Sequence, residues 1–555
     1  MGKYNSKAEA AKPTVINEMG EKAYQLDPRE ELVATCLTTF LSGDHYYETE
    51  KDVVNRITTK LNEVDPLFAA KLAVYARNDA NMRSVTHLIA ATIAKNASGK
   101  EWAKRFYNKI VIRPDDMSEI LSAYAQMNKM GLKDIKKIPN AMKKGFKTAL
   151  ERLDAYQIDK YKMNTRQVKM IDLVNLFHPK GTQRNSQAYH NLMNGTSLAG
   201  LYSSKVLEKE MVKAGQKTSA KSVEEKTEAK KEAIETVLSN VKGMPIMNLL
   251  RNLRNVILYA PDSVEEACSQ LRNEQKILNS RLLPFRFASA YEEIEKMSYS
   301  DKKSSTSIAF ESDYKNTSLT SSEFSSLKIK VLDAIEDALQ ISCQNIPELE
   351  GNVAILVDHS GSVRGDLGGS SRVSAFSKTT CATIGNLFAS MVAWRQKNVY
   401  IGLFGDRLIP VKVDRNKRLL DFNKESYNAG ARCGGGTEQG IYDFFRQAIS
   451  EKKKIDNIVI FSDCQIGSNA STSWYGTSGV ERSATFQDLV KQFKKINPLC
   501  NIVVVDLRQT KGNTVFHRSQ RILNIAGWST NIFSLINSNC KGYDAIIKEI
   551  EAIEI

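Results

Sequence analysis

The hydrophobic period of the chain changes once, near residue 350, and that change limits its architecture more than any other feature. Beyond it lie four short apolar runs: NVAILVD (352–358), NVYIGLF (398–404), NIVIFSD (457–463) and NIVVVDL (501–507). Segments with helical spacing separate them at 373–395, 438–450 and 485–496. Apolar runs without alternation are strands buried on both faces, and crossover helices between such strands give a doubly wound parallel sheet. Before the change, from about 17 to 295, large apolar residues recur three and four apart, as in FAAKLAVYA (68–76) and MSEILSAYAQM (117–127). That is the spacing of amphipathic helices, and strand-like alternation is nearly absent. Asp27-Pro28, Asp65-Pro66 and Arg113-Pro114-Asp115-Asp116 mark helix starts. Proline loses no hydrogen bond there, and acids meet the positive end of the dipole. The chain therefore divides into an all-α part, 17–345, built as a solenoid of helix pairs, and an α/β part, 351–545. Two stretches fit neither pattern. Residues 213–232 are charged without apolar anchors, and 298–326 are rich in Ser and Thr; both are expected to be exposed loops or disordered excursions.

Charge narrows the partner. The net charge is +15, and the segment 129–184 alone carries 14 basic and 5 acidic residues, a larger excess than the whole of 1–350. So local an excess points to a surface for an acidic partner, nucleic acid first, against the plainer reading of a solvated Lys-rich helix face. No run of 18 apolar residues occurs, so no membrane span is expected, and the first residues lack the apolar core of a secretory signal. The eight cysteines are scattered, without a CxxC pair or a histidine at zinc spacing. They read as reduced thiols of a cytoplasmic protein.

The strand ends carry the chemistry, because ligands of such sheets sit at the carboxyl ends of the strands. Asp358, Ser360 and Ser362 follow the first strand, Thr437 ends the glycine run ARCGGGT, and Asp463 ends NIVIFSD. All five are oxygen donors. Hard oxygen ligands with water in the remaining positions suit Mg²⁺ or another divalent cation, and two carboxylates leave it open to an anionic oxygen from a partner. A serine hydrolase would want Gly-x-Ser-x-Gly, but Ser360 stands in Asp-His-Ser-Gly-Ser. An aspartyl nucleophile would want a second aspartate where Ser360 stands. His359 alone lies beside the site as a general base, so no catalysis is expected.

Asp-x-Ser-x-Ser, a distant Thr and a distant Asp together resemble the metal-ion-dependent adhesion site of von Willebrand factor A domains. By that resemblance Ser360, Ser362 and Thr437 hold the ion directly, while Asp358 and Asp463 act mainly through water. The helical half resembles the TROVE module of Ro autoantigens in four stretches, in family order: LAVYARNDANMRS (72–84), DKYKMNTRQVKMIDLVNLFHPK (159–180), GMPIMNLLRNLRNV (243–256) and SRLLPFRFASAYEEI (280–294). The resemblance implies a ring of HEAT-like helical repeats closed by the A domain. It also implies a non-catalytic, monomeric scaffold for RNA quality control. Small non-coding (Y-like) RNA would lie on its basic outer face and single-stranded ends of misfolded RNA in its hole. It places RNA contacts at Lys160, in the Lys160-Tyr161-Lys162 element, at Arg166, and at His178 ahead of Lys180. All of these lie in the basic segment, where lysines and arginines neutralise phosphates and Tyr161 and His178 are suited to unpaired bases. Arg251 and Arg254, at i and i+3 on one helix face, either line the ring or pair with acids on a neighbour. His178 is equally readable as an ordinary helix-terminal residue. A ribonuclease or another protein is the partner suggested for the A domain, and a metal-dependent adhesion module is the alternative function. The segment 464–484 is an insertion beside the cation site.

Overall fold

The computed structural model describes residues 15–16, 22–25, 27–38, 50–80, 82–131, 137–198, 200–201, 241–299, 319–346, 348–365, 380–436, 438–463, 486–507, 513–514, 521–526 and 543–555. The segments 213–232 and 464–484 and the residue Thr437 lie outside them.

Helices fill the first half and begin where the sequence marks them. Pro28–Thr38 carries Glu30 and Glu31 in its first turn, and Pro66–Asn78 starts behind Asp65. Pro114–Met127 starts behind Arg113, whose backbone N–H donates to Asp116 Oδ2 at 2.8 Å. Asp116 is fully buried and does more than cap. Arg77 Nη2 donates to it at 2.9 Å and His87 Nε2 lies 2.9 Å from its Oδ1, so one carboxylate joins three helices, Pro66–Asn78, Ser84–Thr92 and Pro114–Met127. Burial alone would raise its pKa. The hydrogen bond from His87, the charge of Arg77 and the backbone amide outweigh that and hold it well below the usual carboxylate range. Packing is close enough that small residues are required: a Cβ on Gly145, in the Asn140–Glu151 helix, would sit 2.4 Å from Tyr107 Cβ and 2.8 Å from Lys104 O.

The Ser/Thr-rich stretch 298–326 needs a correction at its end. Ser321–Ser342 is a 22-residue helix, and Thr320 caps it: Thr320 Oγ1 accepts from Glu323 N while Glu323 Oε2 accepts from Thr320 N at 2.8 Å. The hydroxyls that look like loop composition include a capping box.

Six strands form the sheet of the second half: β1 (Val353–Asp358), β2 (Val399–Phe404), β3 (Leu408–Val411), β4 (Asn457–Ser462), β5 (Asn501–Asp506) and β6 (Ile522–Ala526). Their order is β3-β2-β1-β4-β5-β6, all parallel except β3, which returns antiparallel along β2. The four apolar runs are β1, β2, β4 and β5; the sequence pattern passed over β3 and β6. Alternate residues divide the sheet's two faces. Leu356, Ile458, Ile460 and Val504 pack under Phe445, Phe486 and Phe493 of the Glu438–Ser450 and Phe486–Ile496 helices. Ile355, Val357, Phe461 and Val505 face the Cys381–Arg395 helix, which Gly385 lets approach until a Cβ there would lie 3.3 Å from Phe461 Cβ.

Among the described residues the halves meet at two places. Arg418, ahead of the Leu419–Gly430 helix, binds Asp333 at 2.6 Å and Asp337 at 2.8 Å on the Ser321–Ser342 helix, and Phe285 stacks on Phe388 nearby. At the other end, the Tyr543–Glu551 helix packs on Pro28–Thr38 and Pro66–Asn78, with Arg29 on Glu551 at 3.0 Å and Arg105 Nη2 donating to Ile555 O at 2.9 Å. This helix runs past residue 545. Strand-like backbone also occurs before residue 27, where Lys22–Gln25 pairs with Val15–Ile16 and with Asn513–Thr514. Two joints between two halves close the chain into a ring.

Candidate functional site: strand-end carboxylates and a basic face

The carboxyl ends of β1 and β4 bring four of the five oxygen donors together. β1 stops on Asp358, and Ser360 then caps the short Gly361–Arg364 helix, which ends on Gly365 at φ +84°. That turn points both serine hydroxyls the same way: Ser360 Oγ and Ser362 Oγ are 3.3 Å apart, and Ser362 Oγ donates to Asp463 Oδ2 at 2.8 Å. Asp358 Oδ1 accepts from Ser360 N at 2.9 Å. Its Oδ2 accepts from Ser462 Oγ at 2.6 Å. Asp358, Ser360 and Asp463 are all buried.

Two residues that the sequence reading missed complete the frame. Ser462 comes one position before Asp463, at the end of β4. Asp406 sits in the β2–β3 hairpin and holds the glycine run that precedes Thr437: Gly436 N donates to Asp406 Oδ1 at 3.0 Å. Gly434 adopts φ +91°, and a Cβ there would lie 2.3 Å from Asp406 Oδ2. Gly361 N donates to Gly435 O at 2.9 Å, which ties this loop to the serine turn.

The electrostatics of this cluster favour a cation. Burial, then the neighbouring charge of Asp463, raises the Asp358 pKa well above the ordinary carboxylate range, although the bonds from Ser462 and Ser360 oppose the shift. Two buried carboxylates lie here together, faced by hydroxyls and backbone amides. Hard oxygens in this number fit a divalent ion of the Mg²⁺ kind, whereas no cluster of three or more His, Cys, Asp and Glu occurs among the described residues. The His359 imidazole is held by partners outside this cluster. It turns away, with Nδ1 3.0 Å from Arg364 Nη1 and Nε2 3.3 Å from Asn386 Oδ1, and burial followed by the Arg364 charge pushes its pKa down to about 4.

The basic residues lie elsewhere, on the helical half. Lys160 ends the Ala155–Lys160 helix and is exposed, with its Nζ 3.3 Å from Tyr156 Oη and 5.8 Å from the Tyr161 ring centroid. Tyr161 is half-buried and also carries the Arg113 guanidinium 5.0 Å from its centroid. Lys162 pairs with Asp159 at 2.9 Å, and exposed Arg166 reaches Glu119 at 3.6 Å. His178 caps the Met170–Phe177 helix in the left-handed region, φ +47°, and is exposed, as is Lys180. Arg251 and Arg254 lie on the separate Ile246–Tyr259 helix, exposed and half-buried respectively. The Arg251 charge adds to desolvation in lowering the pKa of Arg286 on the next-but-two helix.

A family model for the TROVE domain matches residues 31–240 and 228–332. Telomerase protein component 1 of mouse is 21% identical over 339 residues, covering 49% of this chain and 13% of that protein. The rat protein of the same name is 23% identical over 108 residues, covering 20% and 4%. This chain thus spans a small part of the length of those relatives. The crystal structure of the Ro (RSR) protein of Deinococcus radiodurans superposes with a TM-score of 0.57 at 14% identity, over 93% of this chain and 99% of that one. The superposition covers both the helical half and the mostly parallel sheet, which is consistent with a von Willebrand factor A domain. With its family match extending over more than half of the sequence, the chain belongs to the TROVE domain family.

Proposed function

We propose that this protein is a non-catalytic RNA-binding scaffold of the Ro type, acting in the cytoplasm in RNA quality control. Structured small non-coding RNA lies along the basic face of residues 129–184, and single-stranded ends of misfolded RNA enter the ring. The observation that carries the reading is that Lys160 and His178 are solvent-exposed within the most basic segment of a TROVE chain. A core role for either would have buried it. Lys160 supplies a point charge for phosphate, and His178 an imidazole for an unpaired base. Replacing both with Ala weakens gel-shift affinity for a structured RNA at least tenfold, while the melting temperature stays within a degree or two. Unchanged affinity in the folded double variant sinks the reading.

The strand-end cluster supports a second, compatible activity. Asp358, Ser360, Ser362 and Asp463, with Thr437 next to the glycine loop, hold a divalent cation that accepts an acidic side chain from a protein partner such as a ribonuclease. The cation supplies an electrophilic centre for that carboxylate, and Asp358 and Asp463 supply the charge that retains it. Calorimetric Mg²⁺ titration of wild type and Asp358→Ala tests this; equal binding by the two rejects it.

A further inference from the structure

His359 stands between two cation-site residues, yet nothing in the proposed chemistry uses it. It is fully buried, and its surroundings are unusually specific. Arg364 Nη1 lies 3.0 Å from Nδ1, and a guanidinium has only donors to offer, so Nδ1 accepts. The ring proton is therefore on Nε2, which donates to Asn386 Oδ1. The Asn386 amide cannot turn over, because its Nδ2 donates at 2.8 Å to both Asn423 O and Asn423 Oδ1. Ser426 Oγ adds a 3.1 Å bond to Asn386 Oδ1. Arg364 is fixed in turn by Tyr427, donating to its carbonyl at 3.1 Å and lying 4.4 Å from its ring centroid. Above the imidazole is Gly430, where a Cβ would lie 2.1 Å from Nδ1. The ring is thus held at both nitrogens, against the Tyr427 ring and under the Gly430 backbone.

This ring is attached to the peptide that presents the serines. His359 N donates to Phe404 O at 2.8 Å, anchoring the backbone to β2, and Arg364 belongs to the same turn as Ser360 and Ser362. Asn423, Ser426, Tyr427 and Gly430 all lie on one helix, Leu419–Gly430. Besides this lock, the turn is held by buried Val363, by Gly361 N donating to Gly435 O and by Ser362 Oγ donating to Asp463, while its glycine and serine side chains offer little packing of their own.

We infer that His359 is a positioning residue of the cation site, whose wedged imidazole fixes the Ser360–Ser362 turn against Asp463 and binds that turn to the Leu419–Gly430 helix. This rests on the cation reading for its purpose, but the positioning itself is a property of the turn. Both ring nitrogens are committed to protein partners, so the residue orients ligands without touching one.

Three full-length variants test it. His359→Ala removes the wedge, and His359→Gln restores an acceptor for Arg364 and a donor for Asn386. Gly430→Ala deletes no polar group but pushes on the ring. Hydrogen exchange of peptides covering 358–365 is followed by mass spectrometry in EDTA, beside peptides from β1 and β4, and Mg²⁺ affinity is then measured by calorimetry. The expected result is exchange at the turn at least tenfold faster in His359→Ala and Gly430→Ala, with strand peptides unchanged, Mg²⁺ affinity at least tenfold weaker, and substantial recovery in His359→Gln. The inference is overturned if turn exchange matches wild type in both perturbing variants, or if turn and strands loosen together, which is what a plain core residue does. Should His359→Ala not fold, Gly430→Ala and His359→Gln decide alone. Absence of Mg²⁺ binding by the wild type defeats the cation reading, and the exchange measurements still decide whether His359 holds the turn.

Discussion

Changing Asp358 to Asn in cation-free protein removes a titration with a large and predictable consequence. The carboxyl is pushed up from 3.8 to about 7, first by burial and then by the charge of Asp463. In the unfolded chain it ionises near pH 4; in the folded protein it keeps its proton until about pH 7. Between those limits the folded state binds the extra proton, so raising the pH favours unfolding. Stability is fully present below pH 4 and lost as pH rises through 7. The upward shift of this coupled buried pair corresponds to a loss on the order of a few kcal/mol. Solvent screening takes little from this, because Asp358 is 1% and Asp463 0% exposed. For a half of about 200 residues, that lowers its melting temperature by roughly 10 °C. Scanning calorimetry in EDTA from pH 4.5 to 7.5 therefore shows the α/β transition falling. Asp358→Asn flattens the slope, and Asp463→Asn reduces it without abolishing it, since burial is the larger cause. Mg²⁺ at 100 times its dissociation constant restores about 2.7 kcal/mol at the upper end. Glu336 at the domain joint is also raised by burial and adds a slope of the same sign, which subtraction of the Asp358→Asn profile removes. Asp116 acts oppositely, with stability present above pH 4 and lost below it, outside the window. A flat wild-type profile, or an equal slope in Asp358→Asn, refutes the reasoning.

Affinity for structured RNA falls linearly with salt on a log–log plot, with a slope of about −0.7 to −0.9 per phosphate neutralised, and a flat profile from 50 to 200 mM removes the basic face from the interaction. Gly145→Ala destabilises the helical half by about 1–3 kcal/mol through overpacking against Tyr107, outweighing the gain of about 1 kcal/mol in helix propensity, as thermal melts will show; a stabilised variant contradicts the close packing. Arg418→Ala leaves Glu336 buried beside Asp333 and Asp337 without its cation, costs about 1–3 kcal/mol, and speeds limited proteolysis at the Ser321–Ser342 and Leu419–Gly430 joint, whereas unchanged cleavage shows that apolar contacts alone hold it.

What the sequence disclosed, and what it withheld, follows from the range of the interactions. The helices of the first half and the strands β1, β2, β4 and β5 were legible because burial imposes a period on consecutive residues. β3 is a short edge strand, LIPV, half-exposed and carrying Pro410, so no period-two or continuous apolar signal survives in it. The Lys22–Gln25 strand has one of its two partners at Asn513–Thr514, almost 500 residues away, and nothing local records that pairing. The cation site shows the same division. Asp358, Ser360 and Ser362 lie within five residues, and their oxygen chemistry declares itself. Asp406 and the His359–Asn386–Asn423 chain act through hydrogen bonds between distant segments, using residue types common in any turn or helix. Such supporting groups are where a cation site gains its rigidity, since hydroxyls on a glycine-containing turn have little packing of their own. They are also where a sequence motif says least. The motif specifies the ligands, while the residues that hold those ligands still come from wherever the fold brings a donor within 3 Å. On this view the joint and the site are parts of one support: the helix that locks His359 at its carboxyl end is gripped by Asp333 and Asp337 of the helical half at its amino end, through Arg418. Loosening the joint should therefore be felt at the serine turn before it is felt in the strands.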